Sequence, residues 1–68
     1  SLINFYVTHP SVKSLVVIDI IGKEVFKTTI SGELTTINLE NFRNGSYFYK
    51  LLGEDGSTLL SDKIVKVK

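Results

Sequence analysis

The chain is 68 residues long, with no cysteine and one histidine, which excludes a disulfide framework, a thiolate site and a multi-histidine metal centre. Its net charge of +1 is too small to draw in nucleic acid or an anionic membrane by field alone. This length allows one domain at most and little interior, so a single domain over residues 1–68 is expected.

Hydrophobic alternation of period two dominates the chain. Residues 2–7 read as a first strand, stopped by Thr8-His9-Pro10-Ser11, where Pro10 cannot donate to a ladder. Residues 15–20 are strongly β-branched; Ile21-Gly22-Lys23 turns the chain back into residues 24–30, a hairpin signal. Ser31-Gly32-Glu33 is the next turn, and residues 34–39 are rich in Thr and Ile, which suit a pleated surface. Residues 40–44 form a short helical or irregular corner before the aromatic strand 46–52. Gly53-Glu54-Asp55-Gly56 closes a hairpin onto residues 58–67, a strand expected to bend or split at Ser61-Asp62. The expected fold is all-β: a small sandwich of six or seven antiparallel strands.

Phe42-Arg43-Asn44-Gly45-Ser46-Tyr47 has the spacing of a tyrosine corner, found in Greek-key β-sandwiches. There the Tyr ring enters the core and its hydroxyl bonds backbone a few residues upstream. Gly45 supplies the backbone freedom.

The alternation also suggests a register. Leu15 and Val17 face in, with Val25 opposite; Ile37, Leu39 and Phe42 join them, as do Tyr47, Tyr49 and Leu51. On the last strand Val65 and Val67 are expected inside, with Lys66 and Lys68 outside. Val16, Ile18, Phe48 and Leu52 then fall on the opposite faces. There they are either covered by a loop or the first strand, or left as a docking patch.

Little here carries chemistry. His9 sits alone beside Pro10 in a loop, and Glu54 and Asp55 are explained by their turn. Asp19 ends a strand where its usual task is to bond turn amides. No phosphate loop is present, so neither catalysis nor a cofactor is expected. Lys63, Lys66 and Lys68 cluster at the end of the chain. Edge lysines block sheet-to-sheet pairing; the same pattern also makes a tag readable by strand addition. Stacking aromatics for nucleic acid are missing from this segment. No apolar run approaches the ~20 residues of a membrane helix, and no membrane insertion is expected. Ser1-Leu2-Ile3-Asn4 is not a signal peptide. Because the chain opens directly on a strand-like run, it is expected to be cut from something longer.

Three signals coincide in order: Ile18-Asp19-Ile20-Ile21-Gly22-Lys23-Glu24-Val25, then Ile37-Asn38-Leu39 running into Phe42-Arg43-Asn44-Gly45-Ser46-Tyr47, then Lys63-Ile64-Val65-Lys66. Together they resemble the C-terminal sorting domain of cargo proteins of the bacterial type IX secretion system, over residues 15–68. Members of that family usually begin with an Asn-Pro motif before the first strand. This chain has Thr8-His9-Pro10, too late and with other neighbours, so the segment is expected to start after that motif. The resemblance implies an Ig-like sandwich at the tail of a larger exported protein. It would fold in the periplasm, be recognised by the outer-membrane translocon, and be removed by a surface sortase as the parent is released or attached at the cell surface. By motif match, Asp19, Gly22, Gly45 and Tyr47 are fold-signature residues, and Lys63, Lys66 and Lys68 are assigned to direct recognition. A carbohydrate-binding or adhesive sandwich module is the competing reading, although Trp is absent and most Tyr and Phe fall on expected core positions. A structural spacer is a third reading, since exposed edges are expected to allow weak self-association.

Overall fold

The structure, a computed structural model, describes residues 2–67. It has six strands: β1 (Leu2–Tyr6), β2 (Ser14–Asp19), β3 (Glu24–Thr29), β4 (Leu34–Asn38), β5 (Gly45–Leu52) and β6 (Thr58–Lys66). They form a two-stranded sheet, β1-β4, and a four-stranded sheet, β3-β2-β5-β6. All neighbours are antiparallel. The chain crosses between sheets at β1–β2, β3–β4 and β4–β5. In immunoglobulin terms β1 and β4 take the places of strands B and E, and β3, β2, β5 and β6 those of C′, C, F and G. The sandwich is Greek-key and all-β.

Leu15 and Val17 of β2, Ile37 of β4, and Tyr47 and Leu51 of β5 fill the space between the sheets, with Leu39 beyond β4 and Ile64 of β6. Phe5 closes the open side against Tyr49, ring edge to ring face, with centroids 4.8 Å apart. Phe42 packs on the same core, as the alternation suggested.

Two strands depart from the expected register, both by one residue and for the same reason. The first hairpin starts with Ile18 opposite Glu24. Continued unbroken, that register puts Val25 opposite Val17. A bulge between Val17 and Ile18 places Phe26 opposite Val17 instead, so Phe26 packs on the core and Val25 is exposed. In the last hairpin Leu52 pairs with Thr58, but Leu51 pairs with Leu60 and Tyr47 with Ile64. The extra residue on β6 flips every side chain after it. Ile64 is 7% exposed and Val65 57%. Val65 and Val67 are therefore outside and Ile64 inside, and β6 runs unbroken through Ser61 and Asp62.

The outer face of the four-stranded sheet is not covered by the first strand, which pairs with β4 in the other sheet. Val16 is nonetheless buried. It lies in register between Lys27 and Lys50, whose aliphatic stems suit covering such a site while their charges stay in water.

Candidate recognition site

The three sequence signatures lie at one end of the sandwich. Register brings them there: Asp19 is opposite Tyr47 across β2 and β5, and Gly45 is opposite Lys66 across β5 and β6.

The first signature builds the β2–β3 turn. Asp19 Oδ1 accepts from the amides of Ile21, at 3.1 Å, and Lys23, at 2.8 Å. The Gly22 amide donates to the Asp19 carbonyl, and the Asp19 amide to the Lys23 carbonyl. Gly22 has a φ of +90°, a region L side chains rarely adopt. The turn is held by a short carboxylate and a glycine, and the side chains of the two residues between them make none of its hydrogen bonds.

The second signature is the corner between β4 and β5. The Tyr47 hydroxyl donates to the Arg43 carbonyl at 2.7 Å, and the Tyr47 ring lies 5.2 Å from that of Phe42. Asn38 Oδ1 accepts from the Glu40 amide, and the Phe42 amide donates to the Leu39 carbonyl. Gly45 opens β5 with a φ of +148°.

The third signature was expected to present its lysines to solvent. Lys63 does so on the outer face, opposite Phe48. Lys66 does not: its ammonium donates to the carbonyls of Leu39, at 2.8 Å, and Phe42, at 3.3 Å. The one-residue shift of β6 turns Lys66 toward the corner, where those carbonyls gain a charged donor. Lys68 lies outside the described residues.

The sequence reading put Ile21 in the first turn but ended the strand at Ile20, and it missed the exposure of both side chains. Ile20 and Ile21 are among the most exposed large apolar residues described. The signal was present: two β-branched residues occupy turn positions that polar residues and glycine normally fill. Among the described residues no group of three His, Cys, Asp or Glu side chains is placed to hold a metal ion, and no helix is long and apolar enough to cross a membrane.

The sequence model of a family described as "Secretion system C-terminal sorting domain" matches residues 2–67. The chain belongs to that family. It is a C-terminal sorting signal of type IX secretion, and the family is not one of enzymes. No curated protein and no solved structure matches the chain. A sorting domain is the tail of a cargo protein that is secreted or displayed at the cell surface, and it works with the secretion machinery.

Proposed function

We propose that this sorting domain is a single folded unit over residues 1–68 at the end of a larger cargo, passing through the periplasm and read there by the outer-membrane translocon. A surface sortase then removes it. The family match over residues 2–67 carries the reading. It needs no catalysis by the domain itself, no cofactor and no nucleic acid.

Recognition is assigned to β6 and its end. β6 is an edge strand, and its unpaired backbone groups are a template for strand addition. Lys63 and Lys68 supply charge for that contact. Lys66 ties the end of the strand to the corner, so the tag is presented only by a folded domain. Asp19, Gly22, Gly45 and Tyr47 act through the fold. Charge disfavours self-pairing through β6 in two registers. Antiparallel registers centred on Asp62 or Lys63 put like charges directly opposite, which is unfavourable.

The test is export of a fluorescent reporter with its own signal peptide and this segment at its C-terminus, in a type IX-competent host. Wild type is compared with a version lacking Val67 and Lys68, with Lys63→Glu, and with a translocon-deficient strain. Export requiring the translocon and reduced by either change is expected. Export unaffected by both changes would remove β6 as the recognised element. Retention of an extended wild-type fusion would sink the sorting role.

A further inference from the structure

The tip of the β2–β3 hairpin carries two isoleucines whose side chains take no part in the core. Ile20 and Ile21 are 73% and 83% exposed, and neither belongs to the core cluster. The turn around them is fixed by Asp19 and Gly22, so the backbone that presents them is preorganised, which lowers the entropy lost on docking. Beside the tip lies a cleft lined by Asp19, Lys23, Val25, Phe42, Arg43 and Tyr47, among others. The Asp19 carboxylate is already engaged by two turn amides. The cleft's one negative charge is outnumbered by Lys23 and Arg43, so the cleft is net positive.

We propose that the Ile20–Ile21 tip inserts into an apolar pocket of a partner protein whose rim carries carboxylates that meet Lys23 and Arg43. This rests on the sorting reading, because the partner meant is a protein of the secretion machinery. It gives the first signature a contact role beyond shaping the turn.

Charge decides between the occupants. A second copy would set one net-positive cleft against another, which like charge disfavours. An anionic membrane would satisfy the charges but gains too little from the tip. Two isoleucine side chains hold fewer carbons than one myristoyl chain, which alone binds only marginally. A protein pocket with a carboxylate rim satisfies both the apolar tip and the cations, with the specificity a concave site gives.

The experiment uses the exported reporter fusion. Ile20→Ser/Ile21→Ser and Lys23→Glu/Arg43→Glu are each expected to lower the exported fraction at least tenfold. The thermal midpoint of the purified fusion should stay that of wild type. The conservative pair Ile20→Val/Ile21→Leu should export normally. A photoreactive benzophenone side chain at position 21 should give one discrete protein adduct in the host. That adduct should vanish with Lys23→Glu/Arg43→Glu, and the same group at position 36, on the other sheet, should not form it. Normal export of the serine pair overturns the proposal, as does an adduct indifferent to the charge reversal. So does binding of the fusion to phosphatidylglycerol vesicles that the serine pair abolishes, or a tip-dependent dimer in solution. Retention of the wild-type fusion with a charge-dependent adduct at position 21 would remove the sorting reading and leave the docking tip standing.

Discussion

The ammonium of Lys66 donates to the carbonyl of Leu39 at 2.8 Å, across a sequence separation of 27 residues. A second bond reaches the Phe42 carbonyl at 3.3 Å. The last strand thus fastens a corner that no strand ladder completes. Lys66→Met keeps the stem and removes both bonds, and about 1–2 kcal/mol of stability should go with them. Lys63→Met, on the exposed face of the same strand, should stay within ~0.5 kcal/mol of wild type. Urea midpoints of the two variants separate a fastening lysine from a surface one.

The Tyr47 hydroxyl and ring make separable contributions. Tyr47→Phe leaves the ring on Phe42 and the core but strips the Arg43 carbonyl of its donor, for a loss of ~1 kcal/mol. Tyr47→Ala empties part of the core as well, a loss of roughly 3–5 kcal/mol. That is a large share of the ~0.05–0.15 kcal/mol per residue that natural domains hold. Equilibrium unfolding should show the phenylalanine variant folded and the alanine variant largely not.

Gly45 is constrained by its backbone and not by space. A Cβ there meets nothing within 4 Å, yet φ is +148°. Gly45→Ala should therefore cost about 1–3 kcal/mol through strain alone. Gly53→Ala is the control. Its Cβ meets neighbours at the ordinary distance of 3.5 Å, and the change should be within ~1 kcal/mol of neutral. Equal losses at the two glycines would refute the strain argument.

The strands and the tyrosine corner were legible because each rests on local chemistry. Alternating β-branched runs make strands, Gly-bounded polar turns end them, and a Gly-x-Tyr spacing fixes the corner. The face of a strand was legible only where the register ran unbroken from its turn. Val25 and Val65 are each the residue an unbulged hairpin would bury; one extra residue in β3 and one in β6 exchanged them for Phe26 and Ile64. Nothing local marks these bulges, because in both places two apolar residues stand side by side and either can be buried. Lys66 followed Ile64 across, and its role as a donor to the corner was hidden with it. The Ile20–Ile21 tip was hidden for another reason: Ile20 reads as the end of a β-branched strand, and Ile21, although it reads as turn, carries no local sign that an apolar side chain stays exposed there.

The bulge in β6 has a direct energetic signature. Ile64→Ala removes a side chain packed in the core and should cost ~2–4 kcal/mol. Val65→Ala removes one that is 57% exposed and should stay within ~0.5 kcal/mol. The unbulged register predicts the reverse order, so the two midpoints decide which register holds in solution.

Tyr49 should make the domain lose stability at alkaline pH. Burial, and after it the charge of Asp62, raises its phenol above the usual value of 10.0. The unfolded chain then ionises Tyr49 first, binds fewer protons than the folded one, and is favoured as pH rises. The stability held below the unfolded value is lost progressively as pH climbs through the raised folded value. Tyr49→Phe keeps the ring against Phe5 and deletes the ionising group, so its stability should fall less steeply than wild type above about pH 10. Asp62→Asn should bring the phenol partway back toward its ordinary value, read by phenolate absorbance. An identical alkaline slope in wild type and Tyr49→Phe would assign the loss to other groups.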